Sequence, residues 1–95
     1  MTSPAVALLV DLIRRPSVTP AEEGVLDVLE AFLAPLGFEL TRLKFEGDGS
    51  YPVDNLHATR SGSKPGPHLL FAGHTDVVPP GDTAAWTHDP FSGDI

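Results

Sequence analysis

The hydrophobic period of this chain changes once, at Gly37, and that change restricts what the chain can fold into. Before Gly37 apolar residues recur at helical spacing, and after it they alternate. Helices followed by strands in one short chain predict a layered α/β fold. The first helical stretch carries Val6, Leu9, Val10 and Ile13 at i, i+3, i+4, i+7 spacing, with Leu8 and Leu12 widening the stripe. Thr2 or Ser3 before Pro4 marks its start, because proline suits the first helical position and a hydroxyl can accept an orphan amide hydrogen. Arg14 and Arg15 suit the negative end of the helix, and Pro16 stops it. A second helix is expected from Thr19-Pro20-Ala21-Glu22, a reciprocal capping pattern, through Val25, Val28, Leu29, Phe32, Leu33 and Leu36 to Gly37. Pro35 predicts a kinked or tightened last turn.

Beyond Gly37, Phe38 and Leu40 share one parity and Leu43 and Phe45 the other, so a strand with a bulge near Arg42 is expected. Glu46 to Pro52 reads as a loop, Val53 to Arg60 as a second strand, and Ser61 to Pro67 as a hairpin-type connection. His68-Leu69-Leu70-Phe71-Ala72 is a continuous apolar run, the pattern of a strand covered on both faces. The expected architecture is therefore two helices followed by three strands of a mixed sheet, with the last strand central.

Composition narrows the function classes. The 95 residues permit one small domain or a piece of one, burying roughly 60 to 70% of the surface that the unfolded chain exposes. With 41% apolar and 20% charged residues, wholesale disorder is excluded. There is no cysteine, so disulfide scaffolds, thiol catalysis and cysteine-based zinc sites are excluded, and any transition metal must sit on histidine and carboxylate. The net charge of −7, with most of the acidic excess after residue 45, argues against a nucleic-acid or anionic membrane partner. No apolar run approaches the ~20 residues that span a bilayer, and Met1-Thr2-Ser3-Pro4 lacks a basic signal region, so a cytoplasmic location is expected.

The chemistry concentrates in His74 and Asp76, where the buried strand should end. Ligands bind outside the carboxyl ends of strands in α/β sheets, and residues two apart in extended chain face the same way. A metal-ligating imidazole usually gives its other ring hydrogen to a carboxylate, and Asp76 is spaced for that role. Gly73 removes a side chain from what is expected to be a crowded approach. Spacing alone leaves a second reading open, a histidine hydrogen-bonded to its neighbour at a strand end. His68 lies about 20 Å from His74 along an extended chain at ~3.3 Å per residue, too far to share a metal unless the chain folds back. His57 and His88 read as solvated or hydrogen-bonded side chains, and Arg14-Arg15 as helix-end cations. Asp82, Asp89 and Asp94 sit in turn contexts, and Trp86 and Phe91 read as anchors of a long loop. A catalytic zinc usually takes three protein ligands plus water, and this chain convincingly offers one.

Taken whole, Phe71-Ala72-Gly73-His74-Thr75-Asp76-Val77-Val78-Pro79-Pro80-Gly81 resembles the metal-binding segment of the co-catalytic zinc aminoacylase and carboxypeptidase family. Leu12-Ile13-Arg14-Arg15-Pro16-Ser17-Val18-Thr19-Pro20, Leu36-Gly37-Phe38, Asp54-Asn55-Leu56, and Trp86 with Asp89-Pro90-Phe91 extend the resemblance along the chain in the same order. The resemblance implies that residues 1–95 are the N-terminal portion of a zinc-exopeptidase-like catalytic domain. It further implies that His74 binds one of two zinc ions, with cobalt a possible substitute, and that Asp76 is the catalytic-site carboxylate clamping its ring. The bridging aspartate, the glutamate general base, further ligands and a dimerisation domain are expected downstream, giving a homodimeric amide hydrolase of small N-acyl amino acids. These residues alone are then expected to be inactive, to hold zinc poorly and to aggregate through unpaired sheet edges. The rival readings are a sister hydrolase such as acetylornithine deacetylase or an aminoacylase, and a non-catalytic, structural or partner-binding segment.

Overall fold

Ser3 and Pro4 start the first helix as their chemistry dictates. In the computed structural model, which describes residues 2–95, helix α1 spans Pro4–Ile13, and the Ser3 hydroxyl accepts from the Val6 amide at 3.2 Å. The expectation of helix to Arg15 overruns the observed end by two residues. Arg14 and Arg15 form the closing turn instead, their amides donating to Val10 O and Leu12 O at 3.1 Å. Pro16 explains this, since the residue before a proline is driven out of the helical region.

Helix α2 spans Val25–Leu33, so the expected start at Thr19 is also corrected. The capping pattern is broken because the Thr19 hydroxyl is engaged far away in sequence, by Asp76. Glu22 nevertheless caps the helix: its carboxylate accepts from the Gly24 amide at 2.9 Å and the Leu26 amide at 2.6 Å. Pro35 does tighten the end, into a 3-10 turn over Ala34–Leu36. Gly37 closes that turn in the left-handed region at φ 87°, where a Cβ would be strained.

Strands β1 (Glu39–Gly47) and β2 (Ser50–Thr59) form an antiparallel hairpin, paired from Glu39↔Thr59 to Phe45↔Val53. The expected loop from Glu46 to Pro52 contracts to a turn at Asp48-Gly49, both at positive φ (53° and 73°), as two-residue hairpins require. The irregularity falls between Phe45 and Gly47, and Arg42 pairs in register with Leu56, so there is no bulge near Arg42. The parity shift has another cause. Phe38, Leu40, Leu56 and Ala58 are half-buried, while Leu43 and Phe45 stand 41% and 61% exposed, so both faces of the ribbon are apolar. Arg42 reaches from the half-buried face to α2, pairing with Asp27 at 2.6 Å and with Glu30.

The third strand of the expected mixed sheet does not form. Residues 68–72 have no regular structure, and Leu69, Leu70 and Phe71 are 81%, 81% and 86% exposed. The observed sheet has two strands, both antiparallel. A central strand needs a hydrogen-bonding neighbour on each edge, and among the described residues β1 and β2 pair only with each other. The connection at 61–67 is correspondingly irregular rather than a hairpin.

The last residues are held by local hydrogen bonds. Asp82 caps a 3-10 turn at Thr83–Ala85, Trp86 Nε1 donates to Pro80 O at 3.0 Å, and Asp89 accepts from the Phe91 amide at 2.8 Å. Arg14 Nε donates to Ser92 O at 3.1 Å, docking this loop on α1. Gly93 makes that approach possible, since a Cβ there would lie 2.9 Å from Val10 Cγ1.

Fully buried residues are confined to Ser17, Val25 and Leu26 among those described. The radius of gyration is 16.0 Å, against about 12 Å for a compact globule of this length. The accessible surface is 7638 Å², against roughly 5,300 Å² expected of a folded monomer of this mass. The core is thus a small knot at the start of α2, with broad apolar surfaces extending from it. Among the described residues no helix is long and apolar enough to cross a membrane.

Candidate metal centre

The site is assembled by two segments distant in sequence. Pro16 ends the helical region, which frees Ser17-Val18-Thr19 to run parallel to the chain around Val77. Val77 N donates to Ser17 O and Thr19 N donates to Val77 O, each at 3.0 Å. Ser17, 3% exposed, donates its hydroxyl hydrogen to Thr75 O at 2.8 Å, so a buried polar side chain is satisfied and the next segment is pinned. Asp76 lies within this junction and His74 immediately before it.

Asp76 is gripped from two sides. Thr19 Oγ1 donates to Asp76 Oδ2 at 2.6 Å, and His74 Nδ1 lies 3.0 Å from Asp76 Oδ1 and 2.9 Å from Asp76 O. The Thr19 hydrogen bond first, and that of His74 second, hold the Asp76 carboxyl below the usual range for an aspartate, so it is ionised at neutral pH. An ionised carboxylate and a backbone carbonyl can only accept, so Nδ1 must carry the ring hydrogen. In a neutral imidazole that leaves the Nε2 lone pair free. The side chain that carries it is 82% exposed.

This is how proteins present an imidazole to a metal, with one nitrogen fixed by a carboxylate and the other bare, and His74 with Asp76 fits a divalent ion in kind. In number it does not complete a centre. Among the described residues no group of three or more His, Cys, Asp or Glu is arranged to hold a metal. An open groove of about 500 Å³ runs past His74 and Asp76 and is also lined by Glu22, Asp54 and His57. His68 lies in the irregular run, and His88 pairs instead with Asp94 at 3.5 Å. Gly73 is not crowded: a Cβ there would meet nothing within 4 Å.

Thr19 is the residue that sequence reasoning placed elsewhere, as a helix cap. The available signal was the alternation Ser17-Val18-Thr19 after a helix-stopping proline, which suits extended chain better than a helix start. Its partner, lying 57 positions away, could not be read from local pattern.

No protein-family model matches the chain. Individual relatives do, along its whole length. It is 54% identical over 95 residues to the succinyl-diaminopimelate desuccinylase of Nitrobacter hamburgensis, covering all of this chain and 24% of that protein. The enzyme of the same name from Rhodospirillum centenum is 57% identical over 95 residues, with the same coverage. That from Parvibaculum lavamentivorans is 58% identical over 88 residues, covering 93% of this chain and 22% of the relative. The chain spans about a quarter of the length of the curated relatives it matches. A hydrolase relationship is consistent with a metal centre, and it agrees with the family resemblance carried by the segment around His74. In sequence, then, this chain is similar along its whole length to about a quarter of each of several proteins named succinyl-diaminopimelate desuccinylase.

Proposed function

We propose that the chain is the N-terminal part of the catalytic domain of a zinc-dependent desuccinylase. In the whole enzyme the reaction is hydrolysis of the amide of N-succinyl-LL-2,6-diaminopimelate to succinate and LL-diaminopimelate, a step of bacterial lysine biosynthesis. His74 supplies one nitrogen ligand through Nε2, and Asp76 fixes the tautomer that exposes it. A pair of zinc ions, replaceable by cobalt, supplies Lewis acidity toward the scissile carbonyl and toward the attacking water. The remaining ligands and the general base come from the rest of a cytoplasmic homodimeric enzyme, because one histidine cannot complete either ion.

The observation that carries this reading is the Nδ1–Asp76 contact, which leaves the Nε2 lone pair free on a ring that lines an open groove, in a chain more than half identical to named desuccinylases. The surplus exposed surface and the unpaired apolar run at 69–71 support a larger catalytic body around it. The test is made on the whole protein, assayed with succinyl-diaminopimelate and with acetylornithine, with zinc counted by mass spectrometry. We expect turnover of the succinyl substrate only, and His74→Ala is expected to lose one zinc and all measurable activity. Wild-type zinc content and turnover in His74→Ala would contradict the assignment, and preference for acetylornithine would transfer it to a sister hydrolase.

A further inference from the structure

We propose that Thr19 is a positioning residue of the metal centre: its hydroxyl fixes the Asp76 carboxylate, which in turn fixes the ring of His74. The proposal rests on the reading of His74 as a metal ligand. Three hydrogen bonds make up the arrangement, two of them converging on the Asp76 carboxylate. The Thr19 hydroxyl donates to Asp76 Oδ2 at 2.6 Å, with Val77 O a longer second acceptor at 3.3 Å, and the other carboxylate oxygen, Oδ1, shares the His74 Nδ1 hydrogen at 3.0 Å with Asp76 O at 2.9 Å. The third, from Thr19 N to Val77 O at 3.0 Å, anchors the donor itself to the backbone just after Asp76.

The geometry matters because an exposed aspartate two residues from its histidine has several staggered rotamers available, and few of them point an oxygen at Nδ1. The Asp76 side chain is half exposed, so packing alone does not select among them. Occupying Oδ2 with a donor that is itself pinned removes that freedom, and each carboxylate oxygen then has one assigned partner. The hydroxyl lies on a segment parallel to the ligand segment, so helix α1, through Pro16 and Ser17, sets the orientation of a ring 55 positions later in the chain. Ser17 acts differently. Its hydroxyl bonds to the backbone at Thr75 and does not touch the carboxylate, which makes it a matched control for loss of structure.

The test compares Thr19→Val, Thr19→Ser and Ser17→Ala in the whole protein, with His74→Ala alongside. Zinc affinity is measured by chelator competition, and the His74 tautomer by long-range nitrogen-proton NMR on the metal-free protein. Removing a group bonded directly to a metal ligand costs about 10–100-fold in metal affinity, and Thr19 acts one group further out, so Thr19→Val is expected to weaken zinc by about tenfold, the low end of that range. It should also raise the share of the Nε2–H tautomer, while Asp76 O, 2.9 Å from Nδ1, retains part of the Nδ1–H form. Thr19→Ser keeps the hydroxyl and is expected to restore both readouts, whereas Ser17→Ala, which loses only the bond to Thr75 O, is expected to lower stability and to change both readouts by clearly less than Thr19→Val. Thr19→Ala takes the place of valine, with the same expected result, if the valine variant does not fold. Unaltered affinity and tautomer in Thr19→Val, or an equal loss in Ser17→Ala, would overturn the positioning role while leaving His74 as a ligand if His74→Ala still loses zinc. Retention of all zinc by His74→Ala would overturn both.

Discussion

Two adjacent stretches of the same segment behave in opposite ways. Residues 69–71 are the most apolar part of the second half of the chain, yet they stand more than four-fifths exposed and form no strand. Residues 75–77, polar at two of three positions, are held by Ser17 and Thr19 through hydrogen bonds of 2.6 to 3.3 Å. Apolar character gives a strand its reason to be buried but does not supply the neighbours it must pair with. Directional polar contacts can be completed by one short partner segment, and here that partner is the chain just after α1. The site's orientation is therefore fixed locally, whereas a central strand at 69–71 would need pairing neighbours that the described residues do not supply.

The contrast can be broken first at Phe71. If the apolar run is a covered central strand in the whole enzyme, as proposed, Phe71→Ala should lower the unfolding free energy by about 3–5 kcal/mol. A cost below about 0.5 kcal/mol, as for an ordinary surface position, would place the run outside any core. Leu26 comes next. It is 4% exposed within this chain's own small core, and Leu26→Ala should cost about 2–3 kcal/mol in denaturant titration, a loss that needs no further structure to explain it. At the junction itself, Ser17→Ala leaves the Thr75 carbonyl without its donor and should cost about 1–2 kcal/mol. The smallest effect is expected at Gly37, whose φ of 87° makes Gly37→Ala destabilising by about 1 kcal/mol, read as a shift in midpoint.

Much of the helical half was legible because its signals are local. Ser3 and Pro4 marked the start of α1, and Pro35 with Gly37 marked the tightened, left-handed end of the second helix. The start of α2 was misread because Thr19 has two possible partners, a helix amide nearby and a carboxylate 57 positions away, and the distant one won. The parity shift in β1 was legible as a pattern but not as a cause. A bulge and a ribbon apolar on both faces give the same alternation, and only the unbroken register at Arg42 separates them. The pairing of His74 with Asp76 was legible from spacing, since both belong to one short segment. What sequence could not supply was the third member, because a hydrogen bond between segments leaves no periodic trace in either.

The most direct test of the account is anomalous diffraction at the zinc edge from crystals of the whole zinc-loaded protein. A zinc peak is expected about 2.0–2.1 Å from His74 Nε2, with Nδ1 still bonded to Asp76. A fully occupied zinc centre with His74 outside its coordination sphere, or a His74 ring turned so that Nε2 faces Asp76, would contradict it.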